Sequence, residues 1–361
     1  MEVVAAALVG LAGAVCVVVT LLSAVKTVVV PRATPVRITR WVFQGTGAVF
    51  SVLADGGDYR RQDRVRALYA PLALLTLPVV WLVFVLAGYT AMFWAVGVRG
   101  WWAAFFQSGS SLLTLRFSAP VDAVTAVLVI SEAALGLGLL ALLISYLPSI
   151  YGSFSRREVM VTALETQAGT PAWSAALLER LARIGGLDDL DWFWRDWARW
   201  FADIEETHTS SPGLVYFRSP HPDRSWVTAA GAVLDTAALI ASTVDISRQP
   251  AAELCIRSGY VALRRIGDFF GLPYAPDPDP DDPISIDRAE YDAVCQRLTH
   301  AGVPLRGDRN QTWRDFAGWR VNYDAVLLRL AWLCRAPSAP WSADRAIPFR
   351  PTLMPRRRTK S

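Results

Sequence analysis

Three apolar stretches, residues 3–30, 67–98 and 121–147, constrain this chain more than anything else in it. Each exceeds the roughly 20 residues that carry a helix across a hydrocarbon core. Backbone N–H and C=O groups find no water in such a core, so a spanning segment satisfies them internally, and stretches of this length do so as helices. The first stretch is interrupted only by Lys26, the second carries no charge, and the third holds Asp122 at its edge and Glu132 deep inside. With 53% hydrophobic residues and a mean hydropathy of +0.30, the chain is too apolar for an ordinary soluble protein, and the excess sits before residue 150. The expected fold class is therefore all-α: integral membrane helices followed by an all-α cytosolic domain.

Glu2 stands where a basic leader would begin, and residues 3–30 outrun a signal-peptide core, so the first stretch reads as an anchor. Residues 41–54 are uncharged but short and broken by Gly45 and Gly47, which suits a helix lying in the interface. Arginines set the orientation. Arg32, Arg37, Arg40, Arg60, Arg61, Arg64 and Arg66 separate the first two spans, and Arg156 and Arg157 follow the third. The link between spans two and three has only Arg99 and Arg116. This asymmetry predicts a multi-pass protein of the cell membrane with its N-terminus outside and its C-terminal half cytoplasmic. Only Lys26 and Lys360 are lysines, an arginine-heavy usage that fits a high-GC, bacterial genome better than nucleic-acid binding.

The link itself carries the most pattern. Trp101, Trp102, Phe105 and Phe106 recur at near-helical spacing, Gly109-Ser110-Ser111 breaks that pattern, and residues 114–120 lead into the third span. Such a segment either dips into the bilayer and returns, or caps the outer surface as a hairpin. Non-helical backbone is tolerated at membrane depth only when protein or water surrounds it, so a dipping loop requires neighbours, as in a symmetric oligomer.

Residues 105–120 resemble the pore loop of the two-span potassium channels, whose Thr-Val-Gly-Tyr-Gly-Asp signature falls on Thr114-Leu115-Arg116-Phe117-Ser118-Ala119. Glu132, Gly136 and Gly138 resemble that superfamily's inner helix and its hinge glycines, and the likeness covers residues 67–157. The resemblance implies a re-entrant pore loop, a homotetramer and inorganic ions as the permeant partners, with Thr114, Leu115, Arg116, Phe117 and Ser118 as filter. Arg116 and Ser118 replace the two filter glycines. Glycine permits the dihedrals that aim carbonyls at an ion, and four guanidinium groups facing one axis repel cations. A degenerate filter without potassium selectivity is the expectation.

Glu132 needs a partner at membrane depth, and Arg116 is the nearest plausible one; the alternative leaves Arg116 in an outer loop and Glu132 lining a watery cavity. Gly136 and Gly138 serve equally well as close-approach positions between helices.

Beyond residue 151 ordinary helical patterns take over, expected at 156–167, 171–184, 188–205, 225–244, 251–270, 287–301 and 310–335. The aromatic stripes Phe193, Trp194, Trp197, Phe201 and Trp313, Phe316, Trp319, Tyr323 read as core. Residues 226–244 approach span length with Asp235 as their one charge, and read as a buried helix of the domain ahead of a fourth crossing.

The expected organisation is an N-terminal span at 1–30, a connector at 31–66, a channel-like unit at 67–150, helical parts at 151–275 and 284–345 separated by an acidic Pro-rich linker at 276–283, and a basic tail at 346–361. The linker lacks the glycine and distal glutamate of a helix-loop-helix calcium site. His208 and His221, with Glu205 and Glu206, are spaced too irregularly for a metal centre, and Cys16, Cys255, Cys295 and Cys334 form no paired motif. No phosphate loop, nucleophile elbow or His-Glu metal motif is present, so neither enzyme activity nor a cofactor is expected. Two readings follow. One is an ion-channel-like protein in the lipid bilayer, and the alternative is a non-conducting membrane-anchored scaffold or sensor whose helical domain binds a protein.

Overall fold

A computed structural model describes residues 2–28, 37–54, 59–115 and 122–349. Among these, the regular structure is helical, with one isolated bridge between Val244 and Leu305. The chain divides into two units, residues 1–152 and 153–361.

The first unit contains α1 (Glu2–Val28), α2 (Arg37–Ala54), α3 (Tyr59–Ala67), α4 (Tyr69–Ala95), α5 (Trp101–Leu112) and the first part of α6 (Ala123–Ala168). Three helical stretches, Val3–Val28, Arg61–Ala95 and Ala123–Ala168, are long and apolar enough to cross a membrane. α1 packs along α4, and glycines set how closely: a Cβ on Gly13 would fall against the Gly88 carbonyl, and one on Gly88 against Val17. Direct backbone approach of this kind is how apolar helices associate where hydrophobic burial gives no driving force. Trp81 Nε1 donates to Ser23 Oγ at 3.2 Å across the same seam. α2 rests on the start of α4, where the Tyr69 hydroxyl donates to the Phe43 carbonyl at 3.0 Å.

α6 differs from expectation. Residues 121–147 and 156–167 were separable in pattern, yet one helix runs from Ala123 to Ala168 through Pro148. Proline removes a single donor, and residues 149–155 contain no cap or αL position that would stop the helix.

The second unit is built around α9 (Trp226–Ser242), whose residues are buried on every face except at Ala241. Packed against it are α7 (Ser174–Arg183), α10 (Pro250–Phe270), α12 (Arg309–Arg320) and α13 (Asp324–Leu333), while α8 (Asp191–Ser210) lies on α10 and α11 (Arg288–His300) on α7. The apolar character of 226–244 is thus spent on contacts with protein, as a helix hydrophobic all round requires. Its one charge, Asp235, accepts from Arg320 and from the Tyr323 hydroxyl at 2.8 Å. Arg320 also donates to Asp324 at 2.7 Å and to the Trp341 carbonyl at 2.6 Å. Burial alone would lower Arg320, but the charges of Asp235 and Asp324 outweigh it and hold the guanidinium above its ordinary range.

This network explains a second departure, since the pattern over 310–335 resolves into two helices. The turn at Val321–Tyr323 brings Arg320, Tyr323 and Asp324 together beneath α9. Caps fix the other boundaries: Asp287 and Glu290 form a reciprocal capping box on α11, and Asp308 accepts from Asn310 and Gln311 at the start of α12. Residues 276–283 form turns, with the Arg264 guanidinium donating to the Pro276 carbonyl at 2.8 Å.

Candidate functional site

The hairpin between α4 and α6 holds the residues singled out by the sequence. α4 ends at Gly97, which takes φ +107° and lets the Val98 N–H return to the Phe93 carbonyl at 3.1 Å. This is a paired C-terminal closure that favours glycine because φ is positive. Gly100, at φ +90°, completes the reversal. Trp101 stacks on Trp94 with ring centroids 4.9 Å apart, so α5 starts beside the end of α4.

α5 then runs back along α4. Seven residues beyond Trp101, the Ser108 hydroxyl lies 3.1 Å from the Leu86 carbonyl. Leu86 is nine residues before the end of α4, roughly 14 Å along its axis at 1.5 Å per residue. α5 presents Ala104, Ser108, Ser111 and Leu112 inward, and leaves Trp101, Trp102, Phe105 and Phe106 exposed. Gly109-Ser110-Ser111, expected to break the pattern, stays helical through Leu112. Its serines bond sideways to neighbouring helices: Ser111 Oγ donates to the Val129 carbonyl at 2.7 Å.

Glu132 is fully buried on α6, and its Oε1 accepts from Ser108 at 2.5 Å. Its Oε2 has no hydrogen-bond partner among the described residues. Beside it, Tyr89 on α4 donates to Ser131 at 3.0 Å. One turn further along α6, a Cβ on Gly136 would lie 2.5 Å from the Leu112 carbonyl, so the glycine lets the end of α5 touch α6 directly. Gly138, two residues on, has nothing within 4 Å of its Cβ position among the described residues. Glu132 and Gly136 lie roughly 14 and 20 Å along α6 from Ala123.

α5 ends at Leu113 with the same closure as α4. Thr114 N–H bonds the Ser111 carbonyl at 3.0 Å and Leu115 N–H the Ser110 carbonyl at 2.8 Å. Here the left-handed position, φ +56°, belongs to Thr114 instead of glycine. A β-branched residue there is strained, at a cost on the order of 1 kcal/mol or more, and such strain concentrates at functional turns. Thr114 and Leu115 are exposed. Arg116, Phe117 and Ser118 lie outside the described residues, as does the expected Arg116–Glu132 pair. The partner seen for Glu132 is Ser108, a residue sequence reasoning passed over. Its signal was present: Ala104, Ser108 and Ser111 repeat every three or four residues opposite the aromatic face.

In the second unit, His208 is buried and bonded to Arg157 and Thr207, while His221 is exposed. A guanidinium at 3.1 Å is incompatible with a cation on the same ring nitrogen. Among the described residues, no group of three or more His, Cys, Asp or Glu could hold a metal ion.

No family model, no curated protein and no solved structure matches the chain. The groups of the site are a buried carboxylate, hydroxyls and a strained turn.

Proposed function

We propose that residues 67–157 form a channel-like membrane unit of the potassium channel superfamily type, with α4 as outer helix, α5 and residues 113–118 as a re-entrant pore loop, and α6 as inner helix. The reading is carried by one observation, the seat of α5 against Glu132 and Gly136. If α4 and α6 span a core about 30 Å thick, a segment touching both of them roughly 14–20 Å from their near ends is at membrane depth. An outer cap would touch only the helix ends. A helix followed by a strained turn at Thr114 is the order a pore loop starts with, and a loop that turns back at that depth calls for neighbouring copies, hence a homotetramer about one axis. The N-terminus lies outside and residues 153–361 form a cytoplasmic domain, as the arginine distribution favours. Arg116 and Ser118 make the permeation path non-selective, anion-tolerant or closed.

Sizing in detergent followed by liposome flux tests this. The expected result is a fourfold assembly, with ion flux altered by Arg116→Gly. A stable monomer, with neither protein moving ions at any voltage, contradicts the channel reading and leaves the membrane-anchored scaffold.

A further inference from the structure

We propose that Arg157 and His208 form an acid-released clamp that fastens the distal part of α6 to the rest of the second unit. Arg157 projects from α6 and is 1% exposed. Its guanidinium donates to Glu158 Oε1 at 2.9 Å, to the Leu214 carbonyl at 2.9 Å and to the Phe217 carbonyl at 2.7 Å, and its Nη1 lies 3.1 Å from His208 Nε2. The rings of Phe154 and Trp226 flank it at 5.3 and 5.9 Å. One side chain thus gathers α6, the end of α8 and the 3₁₀ turn Pro212–Tyr216.

The tautomer of His208 follows from its neighbours. Arginine only donates, so Nε2 accepts. Thr207 Oγ1 already donates to the Asp203 carbonyl at 2.7 Å, so its contact with Nδ1 at 3.1 Å is one in which Nδ1–H donates. The ring is therefore neutral, with its lone pair on Arg157. Protonating Nε2 removes that acceptor and puts a second positive charge against the guanidinium. Burial, and then Arg157, hold His208 well below its ordinary pKa.

Other groups also face this cluster, and the His208→Gln variant separates the ring from them. From α6 comes Glu158, whose Oε1 accepts from Arg157 while its buried Oε2 has no hydrogen-bond partner among the described residues; from α9, the Trp226 ring at 5.0 Å; from the 3₁₀ turn, backbone carbonyls. Beyond α13, Cys334 donates to the Val215 carbonyl with Arg218 nearby, and burial pushes its thiol up to about 12. Within α8 itself, the ring meets Thr207 and the Ile204 carbonyl.

Once released, His208 regains an ordinary pKa near 6.5, so below that value each pH unit favours the released state about tenfold. The clamp acts within the second unit and does not depend on conduction. Hydrogen exchange of the full chain in lipid nanodiscs tests it, reading amides of 154–160 and 213–217 after correction for intrinsic rates. The expected result is a fall in protection of about fivefold between pH 6.5 and 5.5 in the wild type, because the released ring is already half protonated at pH 6.5, and none in His208→Gln, whose amide oxygen still accepts from Arg157 without titrating. Unchanged protection in the wild type, or an equal fall in the variant, overturns the proposal. Should the variant fail to fold, ¹⁵N-histidine spectra of the wild type decide: an Nδ1–H tautomer at pH 7.5 is required, and an Nε2–H or charged ring overturns it.

Discussion

Ser108 is the residue on which the contact between α5 and α6 turns, because its hydroxyl bonds the fully buried Glu132 at 2.5 Å. Ser108→Ala removes that bond and leaves Ser111 as the remaining hydroxyl beside the carboxylate, and thermal unfolding in detergent is expected to show a loss of about 1–3 kcal/mol. Adding Glu132→Leu recovers part of it, since an apolar pair carries no unmet hydrogen bond; a double variant as unstable as the sum of the singles would contradict this. The two glycines of α6 separate as sharply. Gly136→Ala drives a methyl into the Leu112 carbonyl, at about 1–3 kcal/mol, whereas Gly138→Ala meets open space and gains helix propensity of up to about 1 kcal/mol. Equal melting temperatures for the two variants would argue against the α5 seat. Much at this scale escaped the sequence. Glu132 stood out as a lone charge in an apolar stretch, but that a serine on α5 would face it is a matter of side-chain direction, which spacing alone does not set.

At the scale of elements, the apolar stretches placed α1, α4, the start of α6 and the central α9 within a few residues. They failed where a helix boundary depends on distant groups. α12 and α13 read as one helix because nothing local stops the pattern; the break at Val321–Tyr323 exists because Arg320 and Tyr323 must both reach Asp235, 85 and 88 positions away. The converse error occurred at Pro148, where a residue that usually ends a helix does not. Asp235→Ala leaves Arg320 with Asp324 and the Trp341 carbonyl but removes its bond to α9 and that of Tyr323, so it is expected to cost about 1–3 kcal/mol in chemical unfolding of the second unit. A change below 1 kcal/mol would remove Arg320–Asp235 as the pin between α9 and α12. Lesser ties join the outer helices: Arg297 on α11 bonds Glu179 on α7 and, by that bond first, holds its carboxyl below the ordinary range. A lowered folded-state pKa gives stability that is present above the unfolded value of about 4.5 and lost as pH falls through the folded one. Glu179→Gln should therefore flatten the decline of the melting temperature on acidification below about pH 4.5, and an identical decline in both proteins would count against the tie.

At the scale of the whole molecule, the division near residue 152 falls where hydropathy drops, and the helical class was legible from the length of the apolar stretches before it and the helical periods after it. The channel-like role proposed for residues 67–157 rests in the sequence on an order of segments alone, since a filter is made by backbone conformation and by copies of the chain, neither of which one sequence displays. Everything proposed for that unit depends on α5 descending between α4 and α6. Spin labels at positions 102, 106 and 109 of the full chain in bilayers, read by their relative accessibility to oxygen and to a water-soluble nickel complex, measure that descent most directly. The prediction is a label near the headgroups at 102 and progressively deeper ones at 106 and 109, together spanning on the order of 10 Å. Equal exposure of all three positions to the aqueous reagent would place α5 outside the bilayer and contradict the account.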